Sequence, residues 1–509
     1  MGSSDSDKPA EAAAPRVDLL YPPHPAVPAP PETCVPGTPL PAQHTCADAR
    51  ADLAEALAQS PAQRDAALQT IEACDAFQPG LLRALRADLG PAACADLLVL
   101  PVVGEDIESQ QKIEQDLREA LVGLGLAARL ERLAGAPPEA PKNRDKDSLD
   151  LYYKETLFPW IENQASAIYF MASQGKALHG YGRGLVAIEA GNADMRFVEI
   201  ARQAPIAKEI ESYPEARDLY YATLDERLEP RKARGSAAAL VGMREMAQLG
   251  IRTSERISSA RTLLSRAYGG RRVNALDTLQ LPPLPAEKAT DAASAIASRV
   301  PTVYATALVG KLPVSPELTR AHLQMGMPTG LRRAVESGEG GPLSQLYLTR
   351  ALFENGRTYF RAQDFQDAYQ ILNRLLDDES NKSLSSEQLE QGVLLRALSV
   401  ALLAGPKDAA EMIAQGPRFA EALGNLISLD GLAVGTSEQA GRAGFNAAYL
   451  RELVVKPGDP AAWAELAKSY DLAARHLKGQ EARLAKERAS ACRAIEKTVK
   501  ADLARNPVQ

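Results

Sequence analysis

Apolar residues in this chain recur every three or four positions along most of its length, and strict alternation is almost absent. A three-to-four spacing lines them up on one face of a helix, whereas a half-buried strand needs a period of two. The clearest case lies near the C-terminus. Trp463, Leu466, Ala467 and Tyr470 fall at i, i+3, i+4 and i+7 and share one face. Asp459 is a good N-cap before them, and Pro460 suits the first helical turn. One small residue among three large ones suits a helix packed closely on a neighbour.

The same pattern divides the rest of the chain into helices separated by Gly and Pro. Thr45 is placed to cap a helix over residues 46–59, with Asp48 in the capping-box position. Ser60 and Pro61 open a second helix running to about 77. Two short helices are expected within 79–100, the second opened by Pro91, and a long amphipathic helix over 105–133. The run from Gly135 to Pro141 and the charged residues 142–147 read as a linker. Helices follow near 149–174, 184–203, 213–227, 235–250 and 254–268, with Phe158-Pro159 kinking or restarting the first. The Leu281-Pro282-Pro283-Leu284-Pro285 break precedes helices near 289–308 and 316–324, and Ser337 to Pro342 forms a loop. The expected fold is therefore all-α. A disordered Pro-rich tether (1–43) precedes a helical N-terminal domain (44–135), a middle helical domain (148–335) and a C-terminal helical domain (342–509).

Within the last domain, Leu352, Gly356, Tyr359, Phe365 and Ala368 carry a helix–turn–helix spacing, with the turn at 362–364. Ala397 and Ala409 repeat the Gly356–Ala368 separation, with Ser385 and Gln388 as a capping box and a turn at Gly405-Pro406. Together with the Trp463 helix, these segments resemble the tetratricopeptide-repeat (TPR) family. The resemblance covers roughly the last third of the chain, as degenerate repeats. It departs from the family pattern after Leu477, where one long helix reaches about Leu503. It implies stacked helical hairpins forming an α-solenoid that binds other proteins on a concave face. Ligand-facing residues would lie on the first helix of each pair, which makes Arg350, Asn355 and Lys468 candidate contacts. Leu352, Gly356, Tyr359, Phe365, Ala368, Trp463, Leu466, Ala467 and Tyr470 would be structural.

Composition narrows the classes. At 509 residues the chain is too long for one simple core. Its net charge is −7 without a concentrated basic stripe, and Arg231-Lys232-Ala233-Arg234 and Arg271-Arg272 are short, which disfavours nucleic acid as a partner. No segment is continuously apolar enough to span a bilayer. Gly2-Ser3-Ser4-Asp5 is similar to the spacer that begins mature bacterial lipoproteins. On that reading the membrane is met only through an N-terminal lipid, in the periplasm at the outer membrane. A native Met1 would instead make the chain cytosolic.

The cysteines bear on that choice. If residues 46–59 and 61–77 form an antiparallel hairpin, the start of the first helix lies beside the end of the second. Cys46 then meets Cys74, which leaves Cys34 for Cys94. Such bridges require an oxidising compartment, and the alternative is a set of buried thiols in a cytosolic chain. Cys492 stands apart.

No catalytic or metal constellation is evident. His24, His44, His179, His322 and His476 are scattered, and neither a His-Glu-x-x-His nor a Gly-x-Ser-x-Gly motif occurs. The stretch from Lys176 to Gly184 lacks the Gly-Lys-Ser/Thr of a phosphate loop and reads as an interhelical turn. If it binds a partner, Tyr181 and Arg183 beside His179 are the contacts. Tyr152, Tyr153, Phe158, Trp160, Tyr169 and Phe170 concentrate aromatics in a chain with only 5% of them. They suit either the core of the middle domain or a groove for a peptide or glycan. Glu162 and Glu189 form a conceivable glycosidase pair with no spacing to support it. The resulting expectation is a non-enzymatic protein-binding scaffold without cofactor or metal, a periplasmic lipoprotein component of a larger assembly. The alternatives are a periplasmic glycan-binding protein or enzyme using the aromatic region, and a cytosolic TPR co-chaperone.

Overall fold

The computed structural model describes residues 20, 23–103, 113–135, 137–251, 254–267, 275–325, 328–359, 361–377, 379–403 and 426–505. Their secondary structure is helical apart from one isolated bridge between His44 and Cys74. The chain divides into two compact units, residues 1–245 and 246–509. The domain edges expected from the linker at 135–147 and the loop at 337–342 fall inside these units. The middle domain expected at 148–335 is therefore shared between them.

The first unit begins with a segment that is packed rather than loose, which corrects the expected tether from residue 23 onward. Gln164 donates to the Ala26 carbonyl at 2.9 Å and Arg132 to that of Pro28 at 2.9 Å. The Gly37 amide donates to Leu97, and Arg83 donates to the Thr38 carbonyl at 2.7 Å. Leu20 is buried, with its methyls against Gly125. Proline keeps this segment extended, so it exposes carbonyls that buried arginines on neighbouring helices can reach.

The hairpin helices are Ala49–Ala58 and Pro61–Thr70, both shorter than expected. Thr45 caps neither; its hydroxyl donates to Asp75 at 2.7 Å. Asp48 and Ser60 occupy the two N-cap positions without a side-chain capping bond. Disulfides join Cys46 to Cys74 and Cys34 to Cys94. The His44–Cys74 bridge brings the first pair into line, with the His44 amide on Ala73 and the Asp75 amide on His44.

Helices Leu81–Leu89, Ala95–Val103 and Gln115–Arg132 follow, the last starting well inside the stretch expected to be helical from 105; residues 104–112 lie outside the described set. Helix Gly180–Gln203 is the centre of the unit and is buried on nearly all sides. Gly182 meets Glu119 and Gly123 of the Gln115 helix so closely that a Cβ on Gly182 or on Gly123 would overlap the facing helix's backbone. The interhelical turn expected over Lys176–Gly184 is confined to residues 176–179, and Gly180-Tyr181-Gly182 is the first turn of the next helix, at the close backbone approach that its glycines permit. On its other side Gly191 meets Gly235 and Ala239 of helix Pro214–Gln248. That helix is continuous where two were expected. Pro230 leaves one carbonyl without an amide partner on an exposed flank, where water can satisfy it.

Helices Lys146–Tyr152 and Phe158–Gly175 are separated by a wide turn at Tyr153–Leu157. Pro159 offers no amide to the carbonyl four residues back, and a wide turn accommodates that loss. The 137–145 stretch crosses the surface of this unit rather than linking two domains, since the Tyr152 hydroxyl donates to the Pro138 carbonyl at 2.9 Å.

The second unit holds Glu255–Ala267, Ala292–Ala297, Thr302–Val309, Thr319–Gln324 and Pro328–Glu336. The helix expected over 289–308 is cut at Val300-Pro301, because proline disfavours the helical region in the residue before it. Gly341–Tyr359, Ala362–Asp377 and Ser386–Leu403 then pack successively, as do Glu438–Glu452, Pro460–His476 and Gly479–Arg505. Ser385 and Gln388 exchange the two bonds of a capping box. Asp459 accepts from the amides of Ala461 and Ala462. Gly269-Gly270, Arg271-Arg272, the Gly405-Pro406 turn and Ala409 lie outside the described residues.

Candidate functional site

The residues expected to face a ligand in the C-terminal helices are turned inward. Arg350 is 8% exposed, with its guanidinium on the Pro282 carbonyl and on Glu354 at 3.0 Å. Asn355 is 5% exposed and donates to Asp364 at 2.6 Å. Arg350 and Asn355 hold the unit together and are not open contacts. Burial pushes the Asp364 carboxyl up to about 6, against the opposing pull of Arg361 and Asn355. Lys468 alone of the three is exposed. Gly356, Tyr359, Phe365 and Ala368 are packed, and the Phe353 and Phe365 rings lie 4.9 Å apart. Trp463 is buried and its indole donates to Pro457. Tyr470 is fully buried and donates to Glu452 at 2.5 Å. Cys492 is a buried free thiol, pushed up to about 11 chiefly by burial and next by Glu452.

The Lys176–Gly184 stretch is partly tied down by the protein's own side chains, with the His179 ring left exposed. Glu119, almost fully buried, accepts from the His179 amide at 2.5 Å and faces its Nδ1 at 3.1 Å. A carboxylate at a helix N-terminus is favoured by the exposed amides there. Tyr181 is buried, its hydroxyl on Asp88 at 2.5 Å, while Arg183 points to Glu245 at 3.7 Å. Tyr181 and Arg183 therefore do not converge on a common site. Glu162 is exposed and Glu189 is buried, so the two carboxylates do not open onto the same surroundings.

The aromatic stretch divides between core and surface. Tyr152 is buried and the Trp160 ring meets Phe197 edge-on at 5.4 Å, as core anchors do. Phe158, Tyr169 and Phe170 are 47%, 69% and 44% exposed. Within helix Phe158–Gly175 they stand at i, i+11 and i+12, on a solvent-facing side shared with Glu162, Asn163 and Ser166. The exposed Leu151 lies one helix earlier. A core explains half of this cluster, and the exposed half places aromatic rings at the two ends of a mixed polar face on a well-packed unit.

A second feature had no clear signature beyond two arginines spaced by three in Leu81-Leu82-Arg83-Ala84-Leu85-Arg86. Both are buried. Glu72 takes Arg83 bidentately at 2.7 and 3.1 Å and Arg86 at 3.0 Å, and Arg86 also grips Asp65. A cavity of about 540 Å³ lies between this cluster and the Cys34–Cys94 disulfide. Among the described residues no three His, Cys, Asp or Glu side chains are placed to hold a metal, and no helix is long and apolar enough to cross a membrane.

Comparisons with protein-family models, with curated proteins and with solved structures find no match to this chain.

Proposed function

We propose that this chain is a non-enzymatic binding scaffold that docks another protein outside the cytoplasm. The observation that carries the reading is the exposed face of Phe158, Tyr169 and Phe170 on a disulfide-strapped unit. Phe158 and Phe170 are half exposed and Tyr169 more so, so each forgoes part of a burial worth roughly 1.5 to 3 kcal/mol, and aromatic rings recur as anchors at protein interfaces. The two disulfides suggest a non-reducing, extracytoplasmic environment and weigh against the cytosolic co-chaperone reading. The TPR-like hairpins at 341–403 and 438–505 supply rigid stacking, and Lys468 is their remaining candidate contact. An outer-membrane lipid anchor belongs to the same reading, supported by the Gly2-Ser3-Ser4-Asp5 spacer; fractionation and mass measurement of the native N-terminal peptide test it.

The docking face is tested by photo-crosslinking from position 169 in the native cell envelope. A discrete adduct is expected, absent when Phe158 and Phe170 are both replaced by Ser. No adduct from 169, or an equal one from the exposed control position Leu503, would remove the reading. Asn163 and Ser166 lie between the rings and supply the polar groups a sugar would need, so glycan binding is the second reading. Shifts of the Tyr169 resonances on adding oligosaccharide, with no protein adduct, would favour it.

A further inference from the structure

The cavity beside the Cys34–Cys94 disulfide, about 540 Å³ in volume, falls within the range of small-ligand sites. Leu68, Ala87, Leu89 and Leu98 give it an apolar wall, and Arg64, Asp65 and Arg86 form its charged side. The charges do not balance. Arg83 and Arg86 are matched by Glu72 and Asp65. The Arg64 side chain makes one hydrogen bond, at 3.4 Å to the neutral Leu89 carbonyl, and no ion pair among the described residues. Three arginines thus stand against two carboxylates, and the one without a carboxylate partner, Arg64, lines the cavity. An arginine has five N–H donors, so the Arg64 guanidinium has donors to spare for an anion.

We infer that this cavity binds a small amphiphile with one anionic head, the head at Arg64 and the hydrocarbon body along Leu68, Leu89 and Leu98. A neutral hydrocarbon would leave the surplus charge uncompensated, and a small polar anion would leave the apolar wall wet. A carboxylate and a phosphate monoester would both satisfy Arg64. The site is independent of the aromatic face on helix Phe158–Gly175.

Calorimetry on the full-length oxidised protein tests it with octanoate, octyl phosphate and 1-octanol. Saturable one-to-one binding of an anion is expected, tighter than that of 1-octanol, and the tighter anion identifies the head group. Arg64→Gln should weaken the anion about tenfold and leave 1-octanol unchanged. Ala62→Trp, on the exposed rim, should weaken both. Equal binding of the anions and 1-octanol, no saturable heat for either anion, or an unchanged anion affinity in Arg64→Gln would overturn the inference. Should Arg64→Gln fail to fold, Arg64→Lys and the wild-type comparison of octanoate with 1-octanol still decide it.

Discussion

Gly356 faces the ring of Phe365 with no room for a side chain, since a Cβ there would lie 2.7 Å from the ring edge. The Gly356→Leu variant should therefore lose about 1 to 3 kcal/mol, read as a lower urea midpoint. An unchanged midpoint would mean that the two helices are not in contact there. Asp364, close by, carries a pH dependence whose sign follows from burial. Its carboxyl rises from 3.8 to about 6 in the folded chain. The folded state then holds the proton more tightly than the unfolded state. The associated stability is complete below pH 3.8 and is lost as pH climbs to about 6, by on the order of 3 kcal/mol. Asp364→Asn should flatten that fall while keeping an acceptor for Asn355; melts between pH 4 and 7 check it. The small residue at position 356 was legible from helical spacing. The inward turn of Arg350 was not, because its partner carbonyl belongs to Pro282, far away in sequence.

Among elements, the segment at 23–43 departs most from its sequence. Proline-rich and nearly free of apolar periodicity, it reads as a tether, yet its carbonyls are taken by Arg83, Arg132 and Gln164. Local propensity cannot reveal bonds donated by helices many residues downstream. The Cys46–Cys74 pair, by contrast, was the pairing of three that the sequence favoured, because a hairpin brings its two outer ends together; Cys34 with Cys94 followed only as the remainder. Replacing Cys46 and Cys74 with Ala opens a loop whose ends are 28 positions apart. A loss of about 2 to 4 kcal/mol is expected in denaturant titration, and titrating the unreduced, unfolded wild type should give one free thiol. Five would exclude both bridges. Helix Pro214–Gln248 shows the reverse failure: Pro230 and Gly235 are breakers by propensity, yet the helix continues through both. Gly235 is needed where Gly191 approaches, and that contact is tertiary.

At the scale of the molecule, the two compact units predict which fragments stand alone. Residues 1–245 should oxidise to two disulfides and melt cooperatively. Residues 148–335 should not, because they leave behind the Gln115–Arg132 helix on which the Gly180 helix packs. A cooperative melt of 148–335 by circular dichroism would restore the boundary that the linker suggested. The sequence by itself determined that the protein is helical, where most helices lie, and which residues cap the Ser386 and Pro460 helices, and it favoured one cysteine pairing of three. Those features depend on spacings of a few residues or on the ends of one hairpin, so the local chain encodes them. Only the tertiary structure decided where the units divide, which aromatics stay in water, which arginines are buried and where the Arg64 cavity opens. Each of these depends on what lies opposite a side chain across the core, and that neighbour is chosen by the packing of the whole unit.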